Sequence, residues 1–227
     1  MAIIVETVSL DEIKERILFF FHRIFRSKIF RAIENGDESE VLTLATQKRL
    51  TTAKNEYGLS PLIVCIGKEK SDLACKLIEL GGSYKGDGAL ICAAMAGDQA
   101  VVEKLLKHGV DPDDTSGNPP YHERSTALMW ATNRHYFGIM KSLLDAGADV
   151  NAVSENKTTA VMYTRNADKN DLIALKILLE NKPDITIRDW RGRNLIQEAQ
   201  DRNRCSNKPE MLNLLKQYYP ETNLGHA

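Results

Sequence analysis

The stretch AAMAGDQAVVEKLLKHGVD, residues 93–111, predicts two short helices joined by a tight turn. Gly97 can adopt the left-handed conformation that ends the first helix, and Asp98 follows as a residue that can cap the second. In the second helix, Val101 and Leu105 lie four residues apart and therefore share one apolar face. A pair of helices this short cannot bury its apolar face alone, so the stretch requires neighbours of the same kind.

The same order of small, apolar and turn residues recurs along the chain. Two copies replace the turn glycine, with Glu69 and with His135, so we expect a strained left-handed residue or a reshaped turn at those positions. The predicted copies cover residues 29–54, 55–82, 83–114, 121–152, 154–187 and 189–219. Residues 1–28 are predicted to be an N-terminal arm with a capping helix, and residues 220–227 a flexible tail.

The connections between successive copies have a regular length except at two junctions. Residues 81–88 are predicted to form a short connection and residues 110–125 a long one. The Asp-Pro and Asn-Pro-Pro steps within the long connection disfavour a helix there. Insertions are tolerated at such positions because connections lie at the surface.

The pattern AAxxGxxxxVxxLLxxG at residues 93–109, with TALMWA at 126–131 and LLDAGADVN at 143–151, resembles the ankyrin repeat. The resemblance implies an all-α repeat fold, an α-solenoid of helix-turn-helix pairs with projecting β-hairpin fingers, here preceded by an extra N-terminal helix. It also implies a non-catalytic module that binds a protein partner through its concave face. The residues TALMWA of the fourth copy resemble those of bacterial or viral members of the effector type.

Residues 10–26 predict an amphipathic helix, because apolar residues recur at helical spacing after Ser9, a plausible cap. Its far end is basic and its apolar face is rich in phenylalanine. Three interpretations stay open: a cap on the first repeat, a helix that recruits a partner, or a helix that lies on a membrane surface.

The amino-acid composition limits the classes of function that we expect for this chain. The 30 Lys and Arg residues balance 31 Asp and Glu residues, so no net charge favours nucleic acid. The four cysteines form no CxxC pair and are interpreted as reduced thiols of a cytoplasmic protein, with delivery into a host cytosol as a further hypothesis. No apolar run reaches the roughly 18 residues of a membrane span.

The histidines show no ligand spacing with carboxylates of the HExxH kind, and no phosphate-binding or nucleophile motif is present. We therefore expect no catalytic residue, no metal site and no cofactor. An enzyme whose active site is assembled from distant residues is the remaining catalytic alternative.

Candidate contact residues follow from position, because inner-helix ends and finger tips face the concave side of such repeats. They are Asn133 and Arg134 from a helix, and Tyr57, Tyr121, His122, Asn156, Trp190 and Arg191 from fingers. Trp190 is the first of these, since Trp, Tyr and Arg are enriched at interface hot spots. The alternative is that Trp190 packs on the preceding finger.

Two further hypotheses concern the last fingers. The arginines beside Trp190, namely Arg188, Arg191 and Arg193, could hold an acidic peptide or a phosphate. Leu143 followed by Asp149-Val150-Asn151 resembles a site for asparagine hydroxylation at Asn151; the alternative is that Asn151 stabilises its own turn. The expected partner is one protein, bound by a monomer of this chain.

Overall fold

A computed structural model describes residues 28–82, 85–116, 124–200 and 208–221. All regular secondary structure in these ranges is helical. The α-helices are α1 (Lys28–Asn35), α2 (Glu38–Leu44), α3 (Gln47–Thr52), α4 (Pro61–Gly67), α5 (Ser71–Glu79), α6 (Ala89–Ala96), α7 (Gln99–Lys107), α8 (Ala127–Asn133), α9 (Phe137–Asp145), α10 (Lys169–Leu179), α11 (Leu195–Gln200) and α12 (Lys208–Tyr218). A 3-10 helix spans Ala160–Thr164. Within the described ranges, no helix has both the length and the apolar character to cross a membrane.

The helices pair as the stretch at 93–111 predicted. Helix α6 ends at Gly97 with φ of 77°, and the Asp98 carboxylate caps α7 by accepting a hydrogen bond from the Val101 N–H at 3.2 Å. Ala93 and Ala94 are fully buried, which lets neighbouring inner helices approach closely. Each pair therefore leaves an apolar face that the next pair covers.

The five described turns between paired helices each use a residue in the left-handed region. Glycine fills this position at Gly36 and Gly97, while Glu69, His135 and Ala167 adopt φ of 57°, 57° and 51°. The prediction of strained residues at Glu69 and His135 is thus confirmed, and the turns keep their shape. A non-glycine residue in this conformation costs about 1–2 kcal/mol.

Three inner helices begin at a polar side-chain cap, whereas α6 begins at Gly88 without one. Ser60, Thr126 and Asn194 each accept a hydrogen bond from the N–H three residues on, at 3.3, 3.3 and 2.9 Å. Thr159 stands at the equivalent place, but its hydroxyl makes no such bond. The segment that follows is the 3-10 helix instead of the expected α-helix.

A single apolar core runs through the described repeats. The residues at the first turns of successive inner helices are almost wholly buried, among them Leu62, Leu90, Leu128, Val161 and Leu195. Removing that area from water contributes about 25 cal/mol for each Å² of apolar surface, which makes the stacking of repeats the main source of stability.

The fingers differ from the expected β-hairpins, because no strand occurs in the described ranges. Three fingers are instead closed by tight turns in which the N–H of Asn55, Ser154 and Asp189 donates to the carbonyl of Leu59, Thr158 and Arg193. In each turn the carbonyl of that first residue also accepts from the N–H three residues on. A side-chain oxygen of Asn55 also accepts from the N–H groups of Tyr57 and Leu59, at 3.0 and 2.9 Å. Such side-chain bonds compete with a β-ladder and give a compact turn.

Two elements depart from the sequence prediction in the connections. Helix α3 lies in the first finger, where no helix was expected; it is capped by the Thr46 hydroxyl, which accepts from the Arg49 N–H at 3.4 Å. The connection from α5 to α6 is short and that from α7 to α8 is long. The predicted helix at 10–26, Tyr121, His122 and most of the tail lie outside the described residues.

Candidate functional site

The two most exposed large apolar side chains of the described ranges are Tyr57 and Trp190, at 76% and 68% exposure. Both lie in finger turns of the same construction, in which the residue at the start of the turn accepts hydrogen bonds from N–H groups further along it. The turn that carries Trp190 is completed by Gly192 with φ of 75°. These turns hold an aromatic side chain outward on a defined backbone.

The backbone of Trp190 is hydrogen-bonded to the preceding finger. Its N–H donates to the carbonyl of Asn156 at 3.2 Å, while its indole remains mostly exposed. The Arg191 guanidinium carbon lies 5.7 Å from the centre of the Trp190 ring, within range of a cation–π interaction. The structure thus brings together three predicted residues, Asn156, Trp190 and Arg191.

The last finger contains a buried charge network that the sequence analysis did not anticipate. Arg191 Nη2 lies 2.9 Å from Asp189 Oδ2 and 3.1 Å from Glu198 Oε1, and Arg193 Nε lies 3.2 Å from that same Glu198 oxygen. The side chains of Asp189 and Glu198 are only 7% and 4% exposed. Arg188 donates to the Gly192 carbonyl and to Gln197.

The hypothesis of a phosphate or acidic-peptide clamp stays a prediction. All three arginines of the finger bind groups of the protein itself. Burial raises the pKa of the Asp189 carboxyl, but hydrogen bonds from Arg193 and Arg191 outweigh burial and leave that pKa below its usual value. Asp189 is therefore ionised at neutral pH and anchors the finger.

A small, solvent-open cleft of about 30 Å³ lies beside Trp190. Its lining consists of Thr158, Met162, Arg165, Asp189, Trp190, Arg191, Arg193 and Glu198. The second carboxylate oxygen of Glu198, Oε2, is buried and has no hydrogen-bond partner within the described ranges. The lining therefore combines apolar side chains with charged groups that are already paired with one another.

The other predicted contact residues lie elsewhere on the array. Asn133 ends α8 and Arg134 follows as its C-terminal cap, and both are exposed. Tyr57 belongs to the first finger, several repeats from Trp190. Their participation in one surface with Trp190 stays a prediction.

Asn151 links two fingers, which corrects the interpretation that it stabilises its own turn. Its side-chain oxygen accepts from the Asp184 N–H of the next finger at 2.6 Å. Within its own turn the acceptor is Asp149, which receives the Asn151 N–H at 2.8 Å. Asp113 makes a similar link by accepting from the Asp149 N–H. Hydroxylation of Asn151 stays a prediction.

The thiols of the described ranges are free. Burial raises the pKa of Cys65 to about 12 and that of Cys92 to about 11, and it also raises the pKa of Cys75. These thiols are protonated at neutral pH and are poor nucleophiles.

One histidine lies among carboxylates, although sequence spacing showed no such arrangement. His135 Nε2 is 2.7 Å from Asp171 Oδ1, and Asp168 contributes a carboxylate oxygen so that the three groups lie within 4.8 Å of one another. The available signal was a histidine at a turn position that favours glycine.

Known proteins resemble this chain in sequence and in fold. The family model described as ankyrin repeats (3 copies) matches residues 71–154 and 90–189, which together span more than half of the chain. No curated protein matches. An ankyrin repeat domain from Acinetobacter baumannii AYE is 25% identical with a TM-score of 0.73, covering 84% of this chain and 97% of that one. The crystal structure of the ankyrin repeat protein EF0377 is 21% identical with a TM-score of 0.70, covering 84% of this chain and 96% of that one, and shows the shared fold.

Proposed function

The chain belongs to the ankyrin-repeat family, and on that premise we propose that it binds a partner protein through a surface centred on Trp190. Folds of this family are typically non-catalytic binding scaffolds. The observation that carries the proposal is the 68% exposure of an indole held on an ordered finger beside a cleft.

The Trp190 finger is preorganised for binding. The buried carboxylates of Asp189 and Glu198 fix the two arginines that follow Trp190, and the backbone bond to Asn156 ties Trp190 to the neighbouring finger. A partner that covers Trp190 therefore loses little affinity to the ordering of the loop. Burial of the indole supplies the favourable free energy, and tryptophan is among the commonest hot-spot residues.

The cleft indicates what the partner presents. Met162 and Trp190 contribute apolar groups to the lining. An apolar side chain of the partner suits this lining. Asn133, Arg134, Asn156 and Tyr57 extend the proposed surface along the inner-helix ends and fingers, and Tyr121 and His122 belong to it by sequence prediction.

The test begins with affinity purification of the partner and mass spectrometry, followed by calorimetry on the purified pair. Trp190→Ala should weaken binding by at least about 30-fold, the equivalent of a hot spot of roughly 2 kcal/mol. The melting temperature should hardly change, because the removed side chain is mostly exposed.

The matched control is Ile173→Ala, which also removes an exposed apolar side chain but from α10, an outer helix. Its affinity should equal that of the wild type. Equal affinity of Trp190→Ala and wild type would place the contact surface elsewhere, and Arg134→Ala would then test the helix end separately.

A further inference from the structure

The cluster of His135, Asp168 and Asp171 joins two consecutive repeats. His135 stands in the turn between α8 and α9, whereas Asp168 and Asp171 stand at the start of α10. One potential ligand atom from each residue lies within 4.8 Å of the other two. The contact at 2.7 Å between His135 Nε2 and Asp171 Oδ1 connects residues 36 positions apart.

His135 occupies a position whose backbone does not favour a histidine. Its φ of 57° lies in the region that Gly36 and Gly97 occupy at equivalent turns. A glycine would relieve the strain but would present no side chain to the next repeat. The imidazole is therefore the feature of this turn that reaches Asp171.

Asp171 provides an independent sign of a missing partner. Its side chain is 3% exposed, and its second oxygen, Oδ2, has no hydrogen-bond partner in the described part of the chain. Leaving a buried carboxylate oxygen without a donor or cation is unfavourable. His135 satisfies only the other oxygen, Oδ1.

Asp168 can contribute a ligand without losing its structural role. Its Oδ1 caps α10 by accepting from the N–H groups of Asn170 and Asp171, both at 2.8 Å. The second oxygen of Asp168 is left for another contact. The carboxylate is exposed, so an ion can enter from solvent.

We propose that these three residues form a site for a divalent transition-metal ion of the Zn²⁺ class, which clips the fourth repeat to the fifth. One imidazole nitrogen and two carboxylate oxygens suit Zn²⁺, whereas Mg²⁺ and Ca²⁺ prefer oxygen ligands alone. Water completes the coordination shell. The contact between His135 and Asp171 is the metal-free form of the site.

Metal binding requires a small opening of that contact. The ion takes the place of Asp171 Oδ1 on His135 Nε2, now 2.7 Å apart, and meets Asp171 through Oδ2, the oxygen that lacks a partner. Two such ligands at 2.0–2.1 Å from a tetrahedral Zn²⁺ are separated by about 3.3 Å. If Nε2 carries the proton, that proton is released to solvent as the metal takes its place. No other covalent change occurs.

The test uses the full chain, stripped of metal with a chelator and dialysed. Calorimetric titration with ZnCl₂ should show binding of Zn²⁺, and the melting temperature should rise with ZnCl₂ but not with MgCl₂. Two variants remove a ligand and keep the local structure. His135→Asn keeps a residue that tolerates left-handed φ and a donor for Asp171, and Asp168→Asn keeps the helix cap.

Each variant should weaken this Zn²⁺ binding at least tenfold and remove most of the rise in melting temperature. Glu69→Asn is the matched control, because it makes the same kind of change at a left-handed turn in the second repeat. It should leave Zn²⁺ binding unchanged. A wild-type chain that binds no Zn²⁺, or binding that is the same in both ligand variants as in the wild type, would overturn the proposal.

Discussion

The turns at Gly97 and His135 have the same backbone conformation, but they contact the next repeat in different ways. At Gly97 a side chain of the next repeat packs against the turn, and at His135 the side chain of the turn reaches the next repeat. Both end an inner helix with a positive φ, of 77° and 57°. At Gly97, a Cβ atom would lie only 2.7 Å from Cζ of Tyr136, so the next repeat occupies the space beside the turn. At His135, the turn residue itself extends to the next repeat and meets Asp171.

The difference shows that the turns contribute to contacts between repeats as well as to the reversal of the chain. In one junction the contact is an aromatic ring placed against a glycine, and in the other it is a histidine placed against a buried carboxylate. Stability in such arrays depends on nearest-neighbour interfaces, so both turns should affect unfolding.

Gly97→Ala should produce the largest loss of stability. The left-handed φ costs an alanine about 1–2 kcal/mol, and the clash with Tyr136 adds overpacking of about 1–3 kcal/mol. We expect the free energy of unfolding to fall by about 2–5 kcal/mol, measured by urea denaturation followed by circular dichroism.

Gly138→Ala is the matched control for that clash. A Cβ atom there would approach the Gln99 amide, which is the end of a flexible side chain and can turn away. Gly138 lies in α9, where alanine is the better helix former by up to about 1 kcal/mol. A loss equal to that of Gly97→Ala would contradict the role assigned to Tyr136.

Sequence periodicity predicted the helix pairs and the left-handed residues because both depend on neighbours close in the chain. Glu69 and His135 could be placed at the turn by counting from the inner helix. The 3-10 helix at Ala160–Thr164 could not be predicted, because Thr159 has the residue type of a cap and still makes no cap bond. Helix α3 arises within a connection, where the repeat pattern gives no information.

The candidate sites also contain features that the sequence predicts and features that it does not. The exposure of Trp190 followed from its place at a finger tip. The pairing of Arg191 with Glu198 and that of His135 with Asp171 depend on how the side chains of separate elements meet after stacking. Spacing along the chain cannot reveal such contacts, since 36 residues separate His135 from Asp171.

His135→Gly tests the contribution of the His135 turn. The measurement uses metal-free buffer with a chelator, so that the result reports the contacts within the protein alone. Glycine relieves the left-handed strain, but the buried Asp171 carboxylate loses its donor at a cost of about 1–3 kcal/mol. We expect a net loss of about 1 kcal/mol in the free energy of unfolding. A gain in stability would show that the contact with Asp171 contributes less than the strain.

Glu69→Gly should have the smallest effect and the opposite sign. Glu69 has the same φ of 57°, but its side chain makes no hydrogen bond or ion pair with the residues that the structure describes. Relief of about 1–2 kcal/mol of strain is partly offset by the greater freedom that glycine gives the unfolded chain, about 0.4–1 kcal/mol. A gain of about 0.5–1 kcal/mol is expected by the same urea measurement. Both substitutions make the same backbone change. The difference between the result for His135→Gly and the result for Glu69→Gly therefore gives the contribution of the contact between His135 and Asp171. Equal results would mean that this contact adds nothing to the stability of the array.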